Sequence, residues 1–380
     1  MHLRTVGTYE VKGQRLTVES LKFKVLFEET KQELRGLGLD VADYFQSAEN
    51  LQELVTLLVQ DPFSKNIKPD LRHLIPELTV RLINKGTLTK SFKAKRFVLA
   101  KVKTEDILDL NFRIYLNVDE IMLYASVKGS AGLLGQLVTT INHELTHLIN
   151  GVQNQFGKKV EKRLNKLEKA SKRTNIAFFK THLMDDDFET SMPFVTLTNQ
   201  FYISFRQVLI GFQMLVFEEG LARFNEKFSQ DLQARSAGLY YKRAVTQAKI
   251  VIKRSNLVLN LLSLTSKSNE TKRVEIAKSY LAQFEKEINS TSYAIGFYIY
   301  LRIFANQLQT REAIDLVELL KIKNPVHLIR LYEQVETEKK VISLKDKSAI
   351  ICFRDLVGRA NQERKRLIKL AEEENWDVAA

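Results

Sequence analysis

The chain has 380 residues, 44% of them hydrophobic and 27% charged, so it is long enough to bury a substantial core. Five prolines and fifteen glycines are few for this length, which favours a mostly helical fold. The single cysteine, Cys352, excludes an internal disulfide and a cysteine-rich zinc module. The formal net charge of +13 makes nucleic acid or an anionic membrane a candidate partner.

The chain lacks the apolar segments of secreted and membrane proteins. Residues 1–13 contain no apolar core of signal-peptide length, and no run of about eighteen apolar residues occurs. The most apolar stretch, 201–217, is interrupted by Arg206, Gln207 and Gln213, which predicts a buried helix and no membrane span. We therefore expect a cytoplasmic protein.

The first third of the chain changes from a helical to a β pattern. We interpret residues 16–90 as short helices, because apolar side chains recur at helical spacing within 51–58 and 71–82. Segments rich in β-branched and aromatic residues follow. They predict strands at 96–102, 112–118 and, as a third candidate, 121–127.

From residue 130 onward the pattern is helical nearly to the end of the chain, with an acidic loop at 185–189. After the helix that starts there, helices are predicted at 158–173, 194–228, 231–264, 270–289, 292–307, 310–321, 325–336 and 346–373. We divide the chain into an N-terminal helical region (1–90), a catalytic domain (91–330) and a C-terminal helical extension (331–380).

The segment His143-Glu144-Leu145-Thr146-His147 has the spacing of a metal site. A helix turns about 100° per residue, so residues four apart lie on one face. His143 and His147 therefore present two imidazoles to one point, as a tetrahedral zinc ion requires. Glu144 lies on the flank of that face, where it reaches a water without binding the metal. The alternative is an accidental pair of histidines on a surface helix.

The residues around the motif predict a helix that is buried on one side and exposes the histidines on the other. An apolar stripe is expected to face the core, so the two histidines line a cleft on the other side. The stripe consists of Leu134, Leu137, Val138, Ile141, Leu145, Leu148 and Val152. The segment 140–149 has no charge at a variable position, and it resembles the extended consensus of the zincin metallopeptidases.

The third metal ligand is not close to the motif in the sequence. The metzincin extension is absent after His147, and Lys166 stands where thermolysin-like aminopeptidases have glutamate. A later segment, Glu219-Gly220-Leu221-Ala222-Arg223-Phe224, follows an apolar run and resembles the Glu-Gly-x-Ala-x-aromatic segment of gluzincin-type peptidases of the MA clan. That resemblance implies that Glu219 is the third zinc ligand, with Glu218 as the alternative. A simple ion pair of Glu219 with a lysine or arginine is the structural alternative.

A second segment of the same families is Tyr-x-x-Gly on a later helix, and Tyr293-Ala-Ile-Gly296 matches it. The resemblance implies that the Tyr293 phenol steadies an oxyanion, whereas the alternative is a core tyrosine. The resemblance covers roughly residues 96–322.

These patterns together predict a mainly α (α+β) fold, with a zincin-like core and a small sheet beside the motif helix. The resemblance implies a zinc metallopeptidase that cleaves peptide or protein substrates, with Zn²⁺ held by His143, His147 and Glu219 and with Glu144 as general base. One alternative is a helical scaffold protein with a structural or vestigial zinc site and a basic surface facing nucleic acid. Another is a metallohydrolase that acts on a different amide.

Overall fold

The structure is a computed structural model, and it describes residues 4–11, 14–20, 73–83, 99–103, 109–182, 194–228, 270–310 and 316–338, with a few isolated residues between them. Helices account for 74% of the described residues, and the strands form one small mixed sheet. The prediction of a mainly α fold with a small sheet is confirmed.

Five strands and seven helices lie in the described ranges. The strands are β1 (Arg4–Val11), β2 (Gln14–Ser20), β3 (Glu77–Ile83), β4 (Ala100–Lys101) and β5 (Arg113–Asn117). The helices are α1 (Val118–Asn154), α2 (Phe156–His182), α3 (Phe194–Phe228), α4 (Glu270–Ile303), α5 (Ala305–Gln309), α6 (Leu316–Leu319) and α7 (Pro325–Glu338).

The sheet has the order β1-β2-β3-β5-β4. β1 and β2 are antiparallel, β2, β3 and β5 run parallel, and β4 pairs antiparallel with β5. Within the described part of the sheet β4 is therefore at the edge, and its neighbour β5 leads directly into α1. Helix α1 packs against β4 and β5, so the motif helix is supported by the end of the sheet.

The two faces of the sheet differ in polarity. In β3, Leu78, Val80 and Leu82 are fully buried and alternate with Thr79 and Arg81, as the two-residue period of a strand requires. The opposite face carries a chain of polar contacts. Its members are the ion pair Arg81–Glu19 at 2.7 Å, the hydrogen bond that the Tyr115 hydroxyl donates to Asp106 at 2.9 Å, and the ion pair Arg113–Asp106 at 2.9 Å.

Two predictions for the N-terminal third are wrong. Residues 16–20 of β2 and all of β3 are strands, although we predicted helices from residue 16 to residue 90. β1 also lies within the region 1–90 that we described as helical. Around β3, apolar residues fit both periods, and the alternation 78, 80, 82 prevails because β2 and β5 pair on either side. The third strand candidate, 121–127, belongs to α1, where Asp119 and Glu120 in the first turn favour a helix start.

Other predicted elements agree with the structure. The strand at 112–118 corresponds to β5, and the predicted helices at 158–173, 194–228 and 325–336 correspond to α2, α3 and α7. The two helices predicted at 270–289 and 292–307 are one continuous helix up to Ile303, because no proline or glycine separates them.

Several predicted features lie outside the described residues. They are the acidic loop at 185–189, Cys352, and nearly all of the helices predicted at 231–264 and 346–373. In the part of the chain that the structure describes, no helix is both long and apolar enough to cross a membrane.

The chain divides into two compact units. One contains Met1–Gly157, Ala222–Asp231 and Asp315–Lys321, and thus the sheet, α1 and the end of α3. The other contains Lys158–Leu221, Leu232–Ile314 and Ile322–Ala380. In this second unit α4 packs against α7, with the rings of Tyr298 and Tyr332 6.3 Å apart.

Candidate metal centre

Helix α1 brings the two motif histidines to one point. The Nε2 atoms of His143 and His147 are 3.2 Å apart, and the two rings meet edge to face. Leu137, Ile141 and Leu148 of the predicted apolar stripe are buried, so the helix turns its apolar side to the core as predicted. The histidines themselves are partly exposed. Both histidines thus keep part of their surface exposed while these apolar neighbours on the helix are buried.

The separation of the two Nε2 atoms fits zinc. A tetrahedral ion with Zn–N bonds of about 2.0–2.1 Å holds two nitrogens about 3.3 Å apart, and the observed separation is 3.2 Å. A hydrogen bond from one imidazole to the other gives the same distance, with the direction set by the tautomers. The separation is thus compatible with a shared cation as well as with a hydrogen bond between the rings.

The other nitrogen of His143 faces a carboxylate. Its Nδ1 lies 3.2 Å from Oε2 of Glu226, whose side chain is only 8% exposed. The contact has the distance of an ion pair, although its angle falls outside hydrogen-bond limits. A carboxylate at Nδ1 favours a proton on that nitrogen and leaves the Nε2 lone pair for a metal. Glu226 therefore lies at the ring nitrogen opposite the one that faces His147.

A second contact joins the end of α3 to the motif. The Asn225 side-chain amide donates a hydrogen bond of 2.9 Å to Oγ1 of Thr146, which in turn donates to the carbonyl oxygen of Asn142 at 2.7 Å. Thr146 and Asn142 are both buried. Because these polar groups are satisfied away from water, the pairing holds α3 against α1 in one register.

Glu219 is the carboxylate that joins the histidines. One ligand atom from each of His143, His147 and Glu219 lies within 4.8 Å of the others. Glu219 precedes Glu226 by about two turns of α3, so both side chains lie on nearly the same face of that helix. Among the described residues, Glu218 is not part of this group. The geometry thus favours Glu219 over Glu218.

A glycine contact lies directly beside Glu219. A Cβ added at Gly220 would lie 2.6 Å from both backbone carbons of Gly296, and a Cβ at Gly296 would contact the carbonyl oxygen of Val216. Helices α3 and α4 therefore cross with backbone against backbone. The close approach at Gly220 is therefore to α4, the helix that carries Tyr293.

Tyr293 lies on α4, close in sequence to the glycine that contacts α3. Tyr293 precedes Gly296 by three residues on α4, so along this helix it lies about one turn from the contact with Gly220. Tyr300, one turn beyond Gly296, is fully buried and donates a long hydrogen bond of 3.5 Å to the carbonyl oxygen of Phe217. Burial, and secondarily the charge of Glu218, raise the pKa of Tyr300 well above its ordinary value.

Asn225 and Glu226 were missed by the sequence analysis. Their position in the sequence could have indicated a role. They follow Glu219 by about two turns on a largely apolar helix, where a buried polar side chain needs a partner. Glu144 is 8% exposed and sits between the two histidines in the chain. His73, which has no predicted role, is exposed.

The chain was compared with protein-family models, with curated proteins and with solved structures, and none of them matches it. The resemblance to gluzincin peptidases therefore rests on the two motif segments and on the geometry described above.

Proposed function

We propose that the protein is a zinc-dependent metallopeptidase whose metal ligands are His143, His147 and Glu219. The observation that carries the proposal is the convergence of these three ligand atoms within 4.8 Å. Two imidazoles and one carboxylate are a donor set that catalytic zinc sites use, and three protein ligands leave one position for water. A zinc ion bound there supplies Lewis acidity and lowers the pKa of a water toward about 7.

The side chains of the protein carry the proton transfers. Glu144 accepts the proton of the attacking water and passes it to the leaving amine, as a general base and then a general acid. Tyr293 donates a hydrogen bond to the carbonyl oxygen of the scissile bond, where negative charge develops. Glu226 acts through His143, since its carboxylate orients the imidazole.

The edge of the sheet supports a peptide as the substrate. Among the strands that the structure describes, β4 is the outermost on this side and pairs with β5 through Ala100 and Lys101. The backbone groups of an edge strand accept an additional extended chain. Because α1 packs against β4, a peptide added along this edge runs beside the helix that carries the histidines. This arrangement favours a peptidase over a hydrolase of small amides.

The test is the substitution Glu144→Gln. The variant keeps the size of the side chain and removes its basicity, so we expect the zinc content measured by elemental analysis to stay at one ion per chain. Hydrolysis of a fluorogenic peptide library is expected to fall by about 10²-fold or more, the contribution of a positioned general base. Wild-type turnover in the variant would refute the assignment of Glu144, and a wild-type protein that binds no zinc would refute the metal site.

A further inference from the structure

Helix α2 carries a large part of the excess positive charge of the chain. Residues 158–173 contain eight basic and two acidic residues, which leaves +6 of the total +13 within one helical segment. All eight basic side chains are exposed. They are Lys158, Lys159, Lys162, Arg163, Lys166, Lys169, Lys172 and Arg173. The positive charge is thus both concentrated and available to a partner.

Five of these cations form a line along the helix, which we call the basic stripe: Lys158, Lys162, Lys166, Lys169 and Arg173. At about 100° per residue they fall within an arc of about 80°, and at about 1.5 Å per residue they extend over about 22 Å. The two acidic residues, Glu161 and Glu168, lie outside this arc. Glu168 pairs with Lys172 at 2.8 Å, so this pair does not neutralise the basic stripe.

The basic stripe is unfavourable for the isolated helix. Like charges four residues apart destabilise a helix by about 0.2–0.5 kcal/mol per pair. Such pairs occur at Lys158–Lys162, Lys162–Lys166 and Lys169–Arg173. A helix face that only contacts water gains from alternating charges, whereas a face that binds a polyanion gains from a continuous positive line.

The other side of the helix distinguishes between nucleic acid and a membrane. Val160 is buried, and Leu164 and Leu167 are partly buried, so the apolar side of α2 is turned toward the protein. A helix that lies on a bilayer needs that side for the acyl chains. Contacts with a phosphate backbone need only the cations.

We propose that the basic stripe of α2 binds the phosphate backbone of nucleic acid without reading its sequence. No aromatic residue occurs from 158 to 173, so base stacking does not contribute, and the binding is electrostatic. Neither the metal site nor peptidase activity is needed for this interaction.

The experiment is fluorescence anisotropy of the full chain with labelled duplex DNA and duplex RNA at several salt concentrations. Five neutralised phosphates predict a slope of log K against log salt of about −4.5 for the wild type, because each contributes about −0.9. The triple variant K158Q/K162Q/K166Q is expected to reduce that slope to about −2 and to weaken binding about tenfold or more at 0.1 M salt. A second triple variant, K166Q/K169Q/R173Q, is expected to do the same.

The matched control is K321Q/K323Q/R330Q, which removes the same charge at three exposed residues outside α2. We expect the control to keep the wild-type slope within about one unit. Equal weakening by the control and by the stripe variants would overturn the proposal, since binding would then follow net charge alone. Wild-type binding to phosphatidylserine vesicles, with no binding to either duplex at 50 mM salt, would also overturn it in favour of a membrane.

Discussion

Helices α1 and α3 supply the candidate ligands by different means. The two histidines of α1 are four residues apart, so the geometry of a single helix turn sets the distance between their Nε2 atoms. Glu219 of α3 depends on tertiary contacts: Asn225 with Thr146, Glu226 with His143, and the glycine crossing with α4. The positions of two of the three candidate ligands therefore depend on local helix geometry, whereas the position of the third depends on tertiary packing.

The largest expected effect comes from removing the tertiary ligand. In structural zinc sites with four protein ligands, binding is worth about 12 kcal/mol, or about 3 kcal/mol per ligand. Glu219→Ala is therefore expected to lower zinc affinity by roughly 10²-fold, measured by competition with a chromophoric chelator. Glu218→Ala, one residue earlier on the same helix, is the control and should retain affinity. The reverse result would make Glu218 the ligand.

The next effect concerns the hydroxyl group of Tyr293 on α4. Tyr293→Phe is expected to lower kcat by about 10²-fold with little change in KM, because the hydrogen bond to the oxyanion forms only in the transition state. Zinc content and melting temperature serve as controls. If Tyr293 is only a core tyrosine, the melting temperature changes and kcat per folded molecule does not.

The close contact between Gly220 and Gly296 can be disrupted without replacing a proposed metal ligand. Gly220→Ala and Gly296→Ala place a methyl group against backbone atoms, and we expect each to destabilise the protein by about 1–3 kcal/mol. Gly211→Ala is the matched control on α3, where nothing lies within 4 Å of the added Cβ. That control should gain up to about 1 kcal/mol from helix propensity. Chemical denaturation measures all three, and equal effects would contradict a close crossing.

A smaller effect distinguishes the roles of Glu226 and Asn225, the two residues at the end of α3 that contact α1. Glu226→Gln is expected to weaken zinc binding by about 10- to 100-fold, because the carboxylate no longer orients His143. Asn225→Ala removes the hydrogen bond to Thr146 and should cost about 1 kcal/mol of folding stability, with less change in zinc affinity. If Glu226→Gln alters only the free energy of unfolding, its role is structural.

The smallest effect appears only at high pH. Burial raises the pKa of Tyr300 above that of the unfolded chain, so the unfolded state loses its proton first. The resulting stability is complete below about pH 10 and is lost as the pH rises above it. Tyr300→Phe should leave the free energy of unfolding within about 1 kcal/mol at neutral pH. It should also flatten the alkaline loss of stability measured by urea denaturation.

The sequence predicted the parts of the structure that depend on local spacing. The motif helix, α3 and the two-histidine face follow from a period of 3.6 residues, and they agree with the structure. The strands β1, β2 and β3 were missed because a sheet is stabilised by pairing with distant segments, which one segment does not reveal.

The candidate metal site was also predictable only where local spacing determines it. The ligand role of Glu219 came from a resemblance of six residues, and its proximity to the histidines depends on tertiary packing. The contacts of Asn225 with Thr146 and of Glu226 with His143 join two helices far apart in the sequence. No periodicity predicts which polar residue of one helix contacts which residue of another.

The backbone contact between Gly220 and Gly296 has a mechanical consequence. Where helices meet through side chains, a rotamer change alters the distance between their axes, but here no side chain separates the two backbones. The backbone that carries Glu219 therefore cannot move closer to α4 at this point. Only the side-chain torsions of Glu219 remain to adjust the position of its carboxylate.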